Sequence, residues 1–387
     1  MKYTWITLAL ITCLKLSAQN IEVKGVVFED LNGNSIKDKG EHGIPKVAVS
    51  DQLTTVLTDK EGEFQLNANA DFPYVMISQP TGYIGAYYQQ KSPELAFPLQ
   101  KSGSQNHFKF IHASDTHVDS LNLPRMQRFR QLADSVAADF IIISGDLVRD
   151  ALRVSETVAA GYYELFVSEI KKFGMPVYNG VGNHEIFGIE RDKSLVSSEH
   201  PLYGKKMYRK YLGPDYYSFN YGGIHFMSID AVDYQNLYYY GGIDSLQLDW
   251  FSSDIAPIAK DTPIITFNHI PLVSAGFTFQ DFGNDVFYGP QLLVQEGSLA
   301  HRHIVFNFNA LQKRIGNRPY PLALSGHYHA AQESTFIGSH TQFAQTSAIT
   351  RPDSFRYNGF EIRSGFTLYE VKNGKIISSV FIPLNLP

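Results

Sequence analysis

Five short apolar runs in this 387-residue chain each end in side chains that can bind a cation. "FIHASDTH" ends in Asp115 and His117, "FIIISGD" in Asp146, "PVYNGVGNHE" in Asn183, His184 and Glu185, "IITFNH" in His269, and "PLALSGHYH" in His327 and His329. Carboxylate oxygens and imidazole nitrogens are ligands for divalent transition ions, and an imidazole also gives or takes a proton near neutral pH. Taken singly, each residue has an ordinary explanation, since a strand-end Asp caps a helix and a lone His packs in a core. Five such ends in order are not explained by capping.

The elements that must position these residues are visible around them. The apolar runs have the length of buried strands. Between them, "LPRMQRFRQLADSVAAD", "SETVAAGYYELFVSEIKKF" and "DSLQLDWFSSDIAPIA" read as helices, and "YYSFNYGG" with "IHFMSID" as a strand pair. The tail "SGFTLYEVKNGKIISSVFIP" reads as a β-hairpin turning at Asn373–Gly374. Strands alternating with helices predict a layered α/β architecture, in which sites form at the carboxyl ends of the strands. Such a fold would gather candidate ligands spread over more than 200 positions. From Ile21 to about Gln100 the texture differs: "IEVKGVVF", "KVAVS", "TTVLTD", "GEFQL" and "YVMIS" are strand-length runs separated by turn residues, which predicts a small all-β sandwich. The polar stretch "KSGSQNH" sets the boundary, giving an N-terminal domain over 19–103 and a second domain over 104–387.

Composition narrows the classes. A hydrophobic content of 44% with 18% charged residues is that of a core-forming protein. Residues 1–18 carry Lys2, a short apolar run and small residues at Ser17 and Ala18, the pattern of a cleaved secretory signal. A membrane anchor fits less well because Lys15 interrupts the run, and a lipid-anchored form through Cys13 meets the bulky Thr12 before it. The expected location is therefore secreted or periplasmic, with no transmembrane segment after cleavage. Cys13 is the only cysteine and leaves with the signal, so any metal must be held by nitrogen and oxygen. Loss of Lys2 and Lys15 takes the formal charge from −5 to −7, a poor balance for general nucleic-acid binding.

The ordered motifs D-x-H, G-D, G-N-H-E, a lone His after a strand and G-H-x-H together resemble the calcineurin-like metallophosphoesterase family over about residues 107–387. The resemblance implies a four-layer α/β/β/α sandwich with a dinuclear centre at one edge. By that likeness Asp115, His117 and His329 would hold one ion, Asn183, His269 and His327 the other, and Asp146 both. Two divalent or trivalent ions, Mn, Fe or Zn, about 3.5–4 Å apart would need such an anionic bridge. The implied reaction is hydrolysis of phosphomonoesters or phosphodiesters by a metal-bridging hydroxide, with His184 protonating the leaving oxygen. In related phosphatases that His is paired with an acid three residues after the G-D aspartate, where this chain has Arg149, followed by Asp150. Two arrangements stay open: Asp150 takes the role by a local shift, or Arg149 binds phosphate through its guanidinium. Glu185 is read as structural or as an acceptor that holds a ring in place. The purple acid phosphatase branch has a tyrosine ligand shortly after the G-D aspartate, and "GDLVRDAL" has none. The other eight histidines, 42, 107, 112, 200, 225, 301, 303 and 340, are read as packing or surface residues. Segments 186–218 and 231–242 are expected to rim the pocket as loops.

The N-terminal domain contains "DLNGNSIKDKGE", with Asp30, Asn32, Asn34, the Ile36 carbonyl, Asp38 and Glu41 at positions 1, 3, 5, 7, 9 and 12 of a calcium loop. Ser35 replaces the usual glycine and no flanking helices are expected, so the stretch resembles loops of bacterial surface β-sandwich repeats and their prealbumin-like strands. A structural Ca²⁺ there and a solvated acidic turn are both open readings. The partners expected are a small phosphorylated substrate and, through the N-terminal domain, a surface or glycan. The alternative to an enzyme is a secreted binding or adhesion protein on the same scaffold without turnover.

Overall fold

Alternation along the central strands fixes the layers. In His107–Ala113, Phe108 and Phe110 join one hydrophobic cluster while Ile111 and Ala113 join another. In Phe140–Ser144, Phe140 and Ile142 go with the first and Ile141 and Ile143 with the second. A strand apolar on both faces must be covered on both.

A computed structural model describes residues 20–103, 105–276, 293–295, 298–351, 355–357 and 360–386. The signal expected over 1–18 lies outside them. One sheet has five strands in the order Val177–Gly180, Phe140–Ser144, His107–Ala113, Gly365–Lys372 and Lys375–Pro383, the first three mutually parallel and the last two antiparallel. The other has six, in the order Tyr217–Tyr221, Ile224–Ser228, Ile264–Phe267, Leu322–Ser325, Gln342–Gln345 and Gln332–Thr335, with the middle four parallel. Between the sheets lies an aromatic core: Phe110 stacks on Phe140 at 5.4 Å, Phe219 on Phe226 at 4.9 Å, and Phe110 meets Phe226 edge-on at 5.6 Å. Such pairs contribute roughly 0.5–1.5 kcal/mol each beyond their buried area.

Helices cover the outer faces, giving the α/β/β/α order. Leu123–Ser135 starts with a proline in its first turn and buries Met126, Phe129 and Ala133 at helical spacing. Glu156–Ile170 buries Ala159, Tyr163 and Phe166 against the same sheet. Ser245–Ile255 starts where the Asp244 carboxylate accepts the Gln247 N–H at 2.9 Å, and it buries Trp250 and Phe251 in the core that contains the six-stranded sheet. The tail hairpin turns at Asn373 and Gly374, both at positive φ, as a two-residue turn requires. Segment 231–242 is not the loop expected: Val232–Gln235 pairs with Tyr238–Gly241 around Asn236, whose φ is 56°. Lys206–Leu212 and Phe308–Ile315 add helices that the reading of the sequence did not contain.

The N-terminal region forms two four-stranded sheets around Val23, Val27, Val49, Phe64, Val75 and Phe97. It packs tightly on the second domain. The backbone of Gln79 pairs with Phe219 at the edge of the six-stranded sheet, and the Asn220 N–H donates to the Gln79 carbonyl at 2.8 Å. Gln105, in the polar stretch, is buried, and its side-chain oxygen accepts from Gly82 and Gly222 at 3.0 and 3.1 Å. Fully buried Gln52 donates to Asp215 at 2.9 Å and to the Tyr216 carbonyl, while the Tyr216 hydroxyl returns to the Gln52 carbonyl at 2.7 Å. Asp215 is in turn paired with Arg209 at 2.6 Å. Replacing Gln52 by Ala would leave buried partners unmet, at a cost of about 2 kcal/mol. Urea unfolding of Gln52→Ala followed by far-UV circular dichroism and by tryptophan fluorescence is expected to show one shared transition at lower urea. Two separated transitions in the wild type would mean the domains fold independently.

Candidate metal centre

Every candidate ligand follows the carboxyl end of a strand, and the two sheets both contribute. Asp115, His117, Asp146 and Asn183 come from three strands of the five-stranded sheet, and His269, His327 and His329 from two strands of the six-stranded one. Asp115, His117, Asp146, His327 and His329 all have positive φ, between 37° and 74°. Left-handed backbone costs a non-glycine residue of order 1–3 kcal/mol and persists only where the surroundings enforce it. Here it turns each chain sharply off its strand toward a common point. Gly145 has φ of 86°, and a Cβ on it would come within 2.6 Å of His269; one on Gly326 would lie 1.8 Å from the Ser114 hydroxyl. Only glycine admits these approaches.

Two groups of donor atoms result, each within 4.8 Å: Asp115, His117, Asp146 and His329, and Asp146, His269 and His327. In the first, His329 Nε2 lies 2.9 Å from Asp115 Oδ1 and 3.2 Å from His117 Nε2, which is 3.7 Å from Asp146 Oδ2. Asp115 Oδ1 is buried and makes no hydrogen bond. In the second, His269 Nε2 lies 3.1 Å from both Asp146 Oδ2 and Asn183 Oδ1, and His327 Nδ1 is 3.2 Å from His269 Nε2. His269 Nδ1 lies 2.9 Å from the Ser144 carbonyl and donates its proton there, which leaves Nε2 as the nitrogen facing Asp146 and Asn183. Buried carboxylates and imidazoles facing one another, one oxygen without a partner, are a set of donors suited to cations.

Asp146 is common to both groups. Its Oδ1 accepts the His184 N–H at 2.9 Å, which leaves Oδ2 toward the histidines of both sides. Burial would raise its pKa, but His269 and His184 outweigh that and hold it well below the usual carboxylate range. Burial and the nearby His184 push the His117 imidazole down to about 3. Burial opposes protonation of His269, yet Asp146 carries it up to about 9. Glu185 has a role different from holding a ring. Its carboxylate is fully buried and accepts four backbone N–H groups, from Asp146, Leu147, Val148 and Gly182, at 2.7–3.0 Å. It ties the G-D turn to the G-N-H-E turn. Burial and Asp146 push its pKa up to about 8, against the pull of the N–H donors at Val148 and Gly182.

His184 stands beside the first group, its ring 4.5 Å from that of His117 and its Nε2 3.8 Å from Asp146 Oδ2. Its Nδ1 meets the Arg149 backbone carbonyl at 2.8 Å. The partner of His184 left open by the sequence is thus a backbone carbonyl and not the Asp150 side chain. Asp150 is turned away, pairing with Arg153 at 3.0 Å and accepting the Leu152 N–H, while the half-exposed Arg149 guanidinium lies 3.8 Å from Asp119. Two contacts were not legible beforehand. His303, read as an ordinary histidine, meets His327 Nε2 through its Nδ1 at 2.7 Å, and Arg351 donates to His329 Nδ1 at 2.8 Å. Neither belongs to a motif or a strand end that would single it out.

The 30–41 loop is held by its own hydrogen bonds. Asp30 accepts from Gly33 and Ser35, Glu41 from Leu31 and Asp38, and Asp38 from the Asn32 and Asn34 amides, at 2.7–3.0 Å. Ile36 is exposed. Among the described residues the groups of three or more His and carboxylate ligands within 4.8 Å lie only in the second domain, and Asp30, Asp38 and Glu41 do not form one.

Residues 108–331 match the family described as calcineurin-like phosphoesterase. The chain belongs to that family. Residues 30–114 match the N terminal of calcineurin-like phosphoesterase, so the β-rich region is one known to precede this fold. No curated protein matches the chain. Among solved structures it is similar to a dimetal phosphatase from Danio rerio (12% identity, 72% of this chain and 99% of that one, TM-score 0.46). It is also similar to a purple acid phosphatase from yellow lupin seeds (14% identity, 95% and 70%, TM-score 0.42) and to the phosphopantetheinyl hydrolase of Mycobacterium tuberculosis (10% identity, 63% and 91%, TM-score 0.37). Likenesses this distant say nothing about substrate.

If Glu185 clamps the two turns, Glu185→Ala strands four buried N–H groups, each costing about 1–3 kcal/mol when unmet. The expected loss in urea unfolding is at least about 3 kcal/mol, with Glu185→Gln milder because its amide oxygen still accepts. A wild-type-like midpoint for Glu185→Ala would mean those N–H groups find other acceptors.

Proposed function

We propose that the chain is a secreted or periplasmic phosphoesterase that hydrolyses small phosphomonoesters or phosphodiesters with two bound metal ions, Mn, Fe or Zn. The observation that carries this reading is the Asp146 Oδ2 position, shared by both groups of donors. Asp115, His117 and His329 would hold one ion, Asn183, His269 and His327 the other, and Asp146 both. Two ions bound there supply an acidified water as nucleophile and positive charge opposite the phosphate oxygens. The donor set fits them: nitrogen and oxygen only, with two carboxylates among seven residues, which keeps the site cationic toward phosphate.

His184 serves as the acid. The Arg149 carbonyl holds its Nδ1–H and so aims Nε2 into the site, on the side of Asp146. A proton delivered from Nε2 to the leaving oxygen matters most when that oxygen is a poor leaving group. The acidic mature chain favours small substrates over long polyanions. The location rests on the leader pattern of residues 1–18; among the described residues no helix is long and apolar enough to cross a membrane. As part of the same proposal, the 30–41 loop takes a structural Ca²⁺.

Aryl and alkyl phosphates, as mono- and diesters, assayed with added Mn²⁺ or Zn²⁺ test the main reading. Turnover that vanishes on chelation and returns with metal is expected. Bound metal without turnover of any ester would leave the binding-protein reading instead. His184→Ala is expected to lose about 10²–10⁴-fold on alkyl esters and far less on nitrophenyl esters. An equal loss on both would remove the acid role. For the loop, Ca²⁺ should raise the melting temperature of the wild type and not of Asp30→Asn; no rise in the wild type ends that part of the proposal.

A further inference from the structure

His303 lies outside the family motifs, yet its Nδ1 is 2.7 Å from Nε2 of His327. The other nitrogen of His327, Nδ1, faces His269 Nε2 and the second group of donors. We propose that His303 is a positioning residue that sets which nitrogen of His327 is offered to the second ion. The inference rests on the two-metal reading above and deepens it at one subsite.

Proton accounting carries the argument. A nitrogen–nitrogen contact of that length needs one hydrogen between the rings. A neutral imidazole that binds a cation through Nδ1 must carry its proton on Nε2. That proton then points at His303 Nδ1, which must be the acceptor. His303 thereby locks His327 in one tautomer and one ring orientation, the task that a partner on the far nitrogen performs at metal sites.

The backbone of His303 is itself held at two points. Its N–H donates to His301 Nδ1 at 3.0 Å, and its carbonyl accepts the Tyr328 hydroxyl at 3.0 Å. The surrounding backbone is pinned by Gly241 N–H to the His301 carbonyl at 2.7 Å and Val305 N–H to the Pro271 carbonyl at 3.0 Å. Tyr328 is the residue between His327 and His329 in G-H-x-H. So the motif holds the His303 backbone while the His303 ring holds the motif, a reciprocal contact that a residue merely filling space would not need. An imidazole also performs this without adding negative charge, unlike a carboxylate in the same place.

The test is Co²⁺ titration of the chelator-treated full chain, followed by visible absorption, in wild type, His303→Phe and His303→Asn. Asn can place its Oδ1 where the His303 Nδ1 stands and accept the same proton, whereas Phe fills the space and cannot. His303→Phe is expected to weaken one of two Co²⁺ ions by about 10–100-fold and leave the other unchanged, with His303→Asn close to wild type. Wild-type binding of both ions by His303→Phe overturns the inference while leaving the two-metal reading intact. Equal weakening of both ions with a lowered melting temperature, in Phe and Asn alike, overturns it in favour of a general packing role. A wild type that binds no Co²⁺ overturns this inference and the two-metal reading together.

Discussion

A single carboxylate oxygen, Asp146 Oδ2, has to face donors carried by two different sheets. Two divalent ions about 4 Å apart would repel by roughly 16 kcal/mol at an effective dielectric near 20. Neutral ligands bring no charge against that repulsion, so an anion placed between two such ions would be the condition for the rest. The fold immobilises Asp146 through hydrogen bonds of its own. Its Oδ1 is occupied by the His184 N–H, and its own N–H is held by Glu185. The left-handed backbone at Asp146 then leaves Oδ2 one direction to point. Strain at five ligand positions is tolerable because the Glu185 clamp and the sheet edges supply the hydrogen bonds that keep it.

This placement makes the site a property of the sandwich and not of either sheet. The distance between the strand ends is set by the aromatic layer between the sheets, where Tyr178 stacks on Phe219 at 3.8 Å and Phe110 on Phe140. Phe219 belongs to the strand that also receives the N-terminal domain through Gln79. The β-rich region thus buttresses the edge of the sheet that carries His269, His327 and His329. Its Gln52 reaches the Asp215–Arg209 pair, next to the helix Lys206–Leu212. The region is built onto the second domain, and Gln105, from the polar stretch read as the boundary, is one of the buried joints.

Residue type and order made the ligands readable. Apolar strands ending in Asp, Asn and His are rare enough that five in sequence point to a site, and the three long helices were legible as the runs between those strands. What stayed hidden shares one physical character: it depends on backbone or on partners far along the chain. The partner of His184 is a carbonyl, and every residue has one, so no side-chain pattern could name Arg149 over Asp150. The four acceptances of Glu185 are all from N–H groups, equally invisible. His303 acts from a segment with no periodic pattern, and the hairpin around Asn236 lacks the usual Asn-Gly signal.

The partners behind the histidines follow one electrostatic rule. His269 gives its outer proton to the Ser144 carbonyl, His184 to the Arg149 carbonyl and His327 to a neutral imidazole, while His329 faces a guanidinium. Among the described residues no carboxylate stands behind any of these four rings, although carboxylate–histidine pairs are common at metal sites. The nearby acid that could have served, Glu185, is turned onto backbone N–H groups. Each carboxylate added there would subtract a charge from a site where Asp115 and Asp146 would already balance two bound ions in part. Orienting His184, His269 and His327 with neutral partners would keep the remaining positive charge of a loaded site for a phosphate. The same choice accounts for a His at 303 and a backbone carbonyl at 149, two features that otherwise look unrelated.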